Sequence, residues 1–411
     1  MPHVERNLRA DLTLLLLFTF PMAGFLVRHW MSTIFVLLAV LLGCSRREWR
    51  LRYVETQERA LLGIMLLYFL SFILSAAVNG AWAEYVGRLG VELRFLLFIP
   101  LYLLVREMED AHEWLIKGCG VAAFVGFGQA LYEGIWLGSP VVAGVYGNQI
   151  VVGTVHALYA GLLLERAWDA RGTIEGWVFA MAALASAGVT LFAGSRGGYL
   201  VLTGVLMVWA VIRLPPRCTL VFLLILAATS MLLYGSVERL KMRVDAAIGE
   251  VDIYLTLEEP AKHEGPLTSL GQRFEMWKTA WWMFLDNPVF GVGRHRYNEV
   301  AKEYVEKELV HHDAASHGHP HNAYLAMAAE KGILGLLVFV ALLLFPFGRF
   351  IAGRARPSTA GVGGVLLIVT FMLASLTESS PFYQGSFVSI FMVFLAVLFS
   401  ASESKPVRPL H

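Results

Sequence analysis

Long apolar runs, separated by short polar breaks, recur along nearly the whole chain. A helix that crosses a bilayer needs roughly 20 largely apolar residues. On that rule the runs at 11–27, 30–44, 60–78, 86–105, 114–136, 147–164, 174–193, 197–213 and 218–235 predict nine spans, and 332–348, 361–378 and 383–400 predict three more. Between the two groups lies one long polar interval. The pattern therefore predicts an all-α polytopic membrane protein of about twelve transmembrane helices. Residues 1–235 carry the first nine, 236–331 form a large loop with amphipathic helices, and 332–411 carry the last three. The first run, Leu12–Val27, passes almost directly into the second, which predicts a retained anchor, not a cleaved signal peptide.

Within the loop, Ser269-Leu270-Gly271-Gln272 has capping-box spacing and opens an amphipathic helix that Pro288 ends. Phe274, Trp277, Trp281, Trp282 and Leu285 recur at helical spacing on one face. Trp favours the membrane interface, so the helix either lies at the headgroups or packs on the bundle. Asn322 is a good N-cap for a short helix that closes at Gly332.

Charge sets the orientation. Arg6 and Arg9, then Arg46, Arg47, Arg50, Arg52 and Arg59, then Arg106, fall on alternate sides of successive spans. Arg166 and Arg171, Arg213 and Arg217, the trio Arg349, Arg354 and Arg356, and Lys405 with Arg408 continue the series, on the same side as both termini. Loops 79–85 and 137–146 are almost free of positive charge. The positive-inside rule places both termini in the cytoplasm and the 236–331 loop outside.

Composition agrees: 57 % of residues are hydrophobic and 16 % charged, which is the polytopic membrane class. The net charge of +1, without a basic stripe, gives no footing for nucleic acid. Cys44, Cys119 and Cys218 lie in or beside apolar runs, with neither metal-ligand spacing nor a way to staple the loop.

Chemistry concentrates at a few polar positions. Arg196 sits in the turn Gly194-Ser195-Arg196-Gly197-Gly198 between two spans, on the outer face. Glycines admit close approach, the next helix offers its N-terminal N–H groups, and an arginine fork suits phosphate. The alternative is an arginine resting on lipid headgroups. Arg273 opens the amphipathic helix, and Arg294 and Arg296 follow a Gly-Val-Gly turn, where lone arginines are usually solvated surface charges. His311, His312, Asp313, His317, His319 and His321 cluster without established zinc spacing, so the expectation is no metal, and single-histidine base chemistry. Arg88, Glu92 and Arg94 lie inside the fourth span, where each needs a partner or a wet cavity. Arg88 and Glu92, four apart, either pair on one face or line a cavity. Glu378, at the outer end of the eleventh span, is a further cavity charge, and His156 a packing histidine.

These residues carry a resemblance. Arg196-Gly-Gly-Tyr-Leu200 fits Arg-x3-Leu, and His321-Asn322, nine residues, then Gly332-Ile333-Leu334-Gly335 fits His-Asn-x9-Gly-x-x-Gly. The chain resembles the bacterial O-antigen ligases, within the wider group of O-antigen polymerases and lipid-linked-oligosaccharide protein glycosyltransferases. The likeness extends to the layout of spans with one large loop before the last three, a GT-C-like architecture.

The resemblance implies a glycosyltransferase of lipopolysaccharide biosynthesis, working on the periplasmic face of the bacterial inner membrane. Its donor would be a polysaccharide on undecaprenyl diphosphate and its acceptor a sugar hydroxyl of the lipid A–core, joined with inversion and without metal, nucleotide or other cofactor. The family's essential arginines match Arg196 and Arg273 as diphosphate ligands, and its essential histidine matches His321. Its acidic residue near the last spans has a loose counterpart in Glu378; His319 and Asn322, with Arg88 and Glu92, are supporting candidates. An O-antigen polymerase or a protein O-oligosaccharyltransferase would share the donor chemistry. A secondary transporter would also have about twelve spans, but no pairing of two halves is visible in the sequence.

Overall fold

The computed structural model describes residues 8–26, 30–43, 54–80, 82, 86, 89–139, 141–144, 147–352 and 358–403. Among these the secondary structure is helical, with no strand. In chain order the main helices are α1 (Leu8–Leu26), α2 (Trp30–Gly43), α3 (Thr56–Asn79), α4 (Leu89–Val105), α5 (Ala111–Leu131), α6 (Gln149–Asp169), α7 (Ile174–Ala193), α8 (Arg196–Arg213) and α9 (Pro216–Ser236). The loop holds α10 (Glu238–Leu255), α11 (Ser269–Asp286) and α12 (Tyr297–Glu306). The chain then returns through α13 (Ala323–Ile351), α14 (Thr359–Thr377), the short α15 (Ser380–Tyr383) and α16 (Gly385–Glu403).

Each expected apolar segment therefore coincides with a helix. Nine helices among the described residues are long and apolar enough to cross a membrane. α2 and α4, with 14 and 17 residues, are shorter than a straight crossing. α6 packs against α7, α8 and α14, while α16 packs against α4 and α14, so these helices form the buried centre. α9 is the opposite case: none of its residues is buried, and apart from the side where Phe222 meets Trp209 of α8 its apolar surface is left for lipid.

Arginines expected on the inner side meet carboxylates at helix ends. Arg106 lies 3.6 Å from Glu58, whose other oxygen accepts from Tyr102 at 2.6 Å. Arg213 pairs with buried Glu165, and Arg349 reaches Glu403 at 3.0 Å. Arg6, Arg46, Arg47, Arg50, Arg52, Arg354, Arg356, Lys405 and Arg408, with Cys44, lie outside the described residues.

α13 explains how the loop is held. The helix breaks at Gly332 (φ 64°, ψ −164°), where the sequence places the close of the helix capped by Asn322. The break frees carbonyls that an unbroken helix would use internally. Val292 N–H donates to Ala329 O at 2.9 Å and Gly293 N–H to Glu330 O at 3.1 Å, while Ile333 N–H returns to Pro288 O at 2.7 Å. Ser75 of α3 donates its hydroxyl to Glu330 O at 2.9 Å. The buried backbone groups are satisfied by the loop, which is thereby stitched to the bundle.

Two glycines make this approach possible. A Cβ at Gly332 would stand 2.3 Å from the Val289 carbonyl, and one at Gly291 2.3 Å from the Glu330 carbonyl carbon. Gly335, the last position of the motif, leaves room for the Lys331 side chain, whose Cβ would be 2.2 Å from an added methyl. Lys331 then reaches Ser71 at 3.1 Å over the rings of Tyr68 and Phe72.

α11 starts one residue earlier than the capping-box spacing suggests. Thr268 is the cap, accepting from Gly271 N–H at 3.2 Å, and Gln272 turns instead to Leu267 O. Met276, Ala280 and Met283 bury against Tyr297, Ala301 and Val310, giving the loop a small core of its own. Trp282 joins that core beside Tyr304, and so departs from the exposed face that Trp281 and Leu285 keep.

Candidate functional site

The segment before α13 places His321 in a left-handed conformation (φ 50°) immediately ahead of the Asn322 cap. For a residue other than glycine such a backbone costs of order 1–3 kcal/mol and persists only where its surroundings impose it. Here they do. Asn322 accepts Leu325 N–H at 3.0 Å, its own N–H donates to Ser379 Oγ at 3.1 Å, and its amide donates to Leu376 O at 3.1 Å. α13 and α14 thus hold the histidine from both sides.

The same join brings Glu378 to His321. His321 Nδ1 lies 2.9 Å from Glu378 Oε2, the geometry of an Nδ1–H donated to a carboxylate. That bond selects the tautomer whose Nε2 carries the lone pair, and Nε2 has no protein partner among the described residues. Glu378 is itself fixed, accepting Ser379 and Ser380 N–H at 2.8 and 3.3 Å. Burial works to raise the Glu378 carboxyl, but the hydrogen bond and charge of His321 outweigh it and hold the group down to about 2.

His319 Nδ1 stands 3.8 Å from Glu378 Oε1, and its ring lies 4.6 Å from that of His321. Burial lowers His319 to about 4, and burial with the neighbouring His321 lowers His317. The donor atoms of His319, His321 and Glu378 lie within 4.8 Å of one another, as do those of His311, His312 and Asp313, so either group could hold a metal ion. The second group belongs to the loop core. Buried His311 faces the His263 and Gly265 carbonyls through Nε2 and accepts Asp313 N–H at Nδ1.

The two arginines come from separate elements. Arg196 is the first residue of α8, behind a Ser195 cap that accepts Gly198 N–H. Its guanidinium is engaged by Glu250 of α10, with Nη1 at 3.0 Å and Nη2 at 2.9 Å from the two carboxylate oxygens. That pairing lowers the Glu250 carboxyl. Arg273 has no hydrogen bond or ion pair among the described residues. It feels Glu378, Arg196 and Glu250 electrostatically, while burial depresses its own value. Arg273 thus lies within electrostatic reach of both the Arg196–Glu250 pair and Glu378.

Glu92 belongs to a different structure. Arg88 lies outside the described residues, and Glu92 meets Arg294 at 3.5 Å and His295 at 3.3 Å. Arg294, expected as a surface charge, is fully buried. It donates to Glu330 at 2.8 Å and to Phe382 O at 3.2 Å, and lies 3.4 Å over the Tyr383 ring. Tyr383 donates its hydroxyl to Glu330 at 2.7 Å and presents its ring to His319, 5.3 Å between centroids. Arg94 turns to Ser389 at 3.1 Å, and His156 is buried against Ser186 at 3.2 Å, as expected of a packing histidine.

Sequence reasoning missed Glu250 and the burial of Arg294. Glu250 is one carboxylate on an otherwise ordinary amphipathic helix, and no local signal marks it. Arg294 follows two glycines with positive φ, at 291 and 293, the one cue that its turn is pressed against something.

Residues 181–340 match the family model described as O-antigen ligase. That stretch runs from the middle of α7 through the loop into α13, so it holds Arg196, Arg273 and His321 and stops short of Glu378. An uncharacterised protein of Haemophilus influenzae is 24 % identical over 307 residues, covering 72 % of this chain and 74 % of the relative.

Proposed function

Starting from the O-antigen ligase family, whose likeness to this chain the match over residues 181–340 bears out, we propose that the protein transfers a polysaccharide from undecaprenyl diphosphate to a sugar hydroxyl of the lipid A–core. The reaction inverts the anomeric carbon, needs no metal, and takes place at the periplasmic face of the bacterial inner membrane. About twelve helices span the membrane with both termini in the cytoplasm.

The observation that carries this reading is the His321–Glu378 pair at 2.9 Å, with Arg273 in electrostatic reach of both Glu378 and Arg196. Glu378 accepts the Nδ1 proton and orients the ring, so Nε2 can take the proton of the acceptor hydroxyl as it attacks. A positioned base of this kind contributes about 10²–10⁴-fold. The leaving diphosphate is already anionic and requires no acid; it requires positive charge where negative charge gathers, which Arg196 and Arg273 supply. Direct attack by the hydroxyl, with no enzyme-bound sugar, gives inversion. Asn322 and His319 support the histidine segment, and the Glu92–Arg294 group supports the loop behind it.

The test is transfer by purified protein from lipid-linked glycan to lipid A–core in the presence of a chelator. Full activity in His321→Ala, or loss of wild-type activity to the chelator, overturns the mechanism. Deleting the gene separates the acceptors. Bare core with accumulated long lipid-linked polymer marks a ligase, single attached repeats mark a polymerase, and unglycosylated protein with normal lipopolysaccharide marks a protein O-oligosaccharyltransferase.

A further inference from the structure

The Arg196 fork already grips an anion. Glu250 receives two N–H groups from Arg196, at 2.9 and 3.0 Å, and a third from Leu270 N–H at the start of α11, at 3.0 Å. A simple buttress for Arg196 would need only the fork. The third donor comes from a different helix and converges on the same carboxylate, which makes this a built cradle for one oxyanion. Arg273, on the following turn of α11, adds a positive charge that Glu250 feels but does not bond.

Guanidinium grips phosphate and carboxylate with the same two-pronged geometry, and helix N-terminal N–H groups donate to either. The occupant is loosely held by its own element: no described side chain of α10 is buried. The pair is also reachable, with 30 % of the Arg196 side chain and 17 % of that of Glu250 exposed.

We propose that Glu250 is the resident anion of the diphosphate subsite and acts as a specificity determinant, yielding Arg196 and the Leu270 N–H to a prenyl diphosphate but not to a phospholipid headgroup. The inference rests on the diphosphate reading above. A phosphodiester headgroup carries one negative charge, so replacing Glu250 exchanges like for like. A diphosphate brings more charge and a second phosphate for unpaired Arg273, so it outcompetes the carboxylate. In a membrane crowded with phosphodiesters, an arginine without such a guard would be occupied by bulk lipid.

The full-length protein in detergent should be titrated with farnesyl diphosphate, with and without phosphatidylglycerol as competitor. A site whose competent fraction is held near one tenth by an internal anion gains about tenfold in apparent affinity when that anion is removed. Glu250→Gln, which keeps size and removes charge, should bind farnesyl diphosphate about tenfold tighter. It should also yield to phosphatidylglycerol at correspondingly lower concentration. Glu250→Asp, too short to span both donors, should fall between, and guards against a folding artefact in the first variant. Equal or weaker binding by Glu250→Gln overturns the proposal and leaves Glu250 as a positioning group for Arg196. Arg196→Ala separates the two layers: if it binds farnesyl diphosphate as wild type does, the diphosphate site itself is misplaced, and both readings fail.

Discussion

Two clusters of arginines and carboxylates in this chain have opposite character. In the inner one, Arg294 is fully buried and meets Glu330, Glu92, a backbone carbonyl and the Tyr383 ring at once. In the outer one, Arg196 keeps a single carboxylate partner, Arg273 keeps none, and His321 keeps one ring nitrogen free. Burial makes an unmatched charge so unfavourable that each inner carboxylate must sit beside the Arg294 guanidinium, even though Glu92 Oε2 and Glu330 Oε1 lack a hydrogen-bond partner among the described residues. The outer group is left incomplete, and incompleteness is what a ligand can use. Identity of residue type says little here; whether each cation is buried against an opposite charge or left within reach of solvent says much.

The inner cluster offers the largest effect. Arg294→Ala strands Glu330 and Glu92, and breaking a buried pair in this way costs about 3–5 kcal/mol. The expected outcome is a sharp fall in folded protein recovered from membranes and in its melting temperature; a well-folded, active variant would erase the distinction. Next is Arg273→Ala. It should leave melting and yield unchanged while transfer falls about 10²–10³-fold, the usual loss for one donor at developing charge. Should it melt as early as Arg294→Ala, Arg273 belongs with the scaffold.

A smaller effect probes the seam between the clusters. Gly332→Ala combines a positive φ with a Cβ 2.3 Å from the Val289 backbone, so about 1–3 kcal/mol of stability should go. The loss should appear first as protease cutting within the loop, before the spans melt. The smallest concerns pH. His319 is lowered from 6.5 to about 4, so the folded state binds its proton less readily than the unfolded state. Its contribution to stability is therefore complete above pH 6.5 and is lost as pH falls toward 4. Melting temperature followed from pH 7 to 4.5 should fall less steeply in His319→Gln than in wild type. Glu378, held near 2, adds its own loss only below its ordinary value of 4.5.

The sequence made local features legible and left the long-range ones hidden. Asn322 and Gly332 announce a short capped helix because capping and helix closure depend on neighbours alone, and both stand where expected. The apolar segments are similarly self-evident. The partners of Arg294 are not: Glu92 is 202 residues away and Glu330 is 36. Arg88, four residues back, was the local partner the sequence offered Glu92, and nothing local pointed to the loop residues Arg294 and His295 that it meets. Thr268 displaced Ser269 as the cap by a single step, which spacing cannot resolve. Arg196 and His321 were reachable through motifs, and Arg273 only through the resemblance. That Glu378 would orient His321 and Glu250 would fill the arginine fork required the chain to be folded.

The stitched seam at Gly332 has a consequence for how the protein is made. Synthesis delivers Val292 and Gly293 well before the Ala329 and Glu330 carbonyls exist to accept their N–H groups, and delivers His321 57 residues before Glu378. Through that interval the ribosome has already released both arginines and the histidine, but as an unfinished wall. A nascent chain arrested between residues 335 and 378 would carry every residue of the two motifs and still lack the carboxylate that holds His321 Nδ1. On the proposed mechanism, Glu378, the residue that caps the C-terminus of α14, is thus the one whose arrival completes the site.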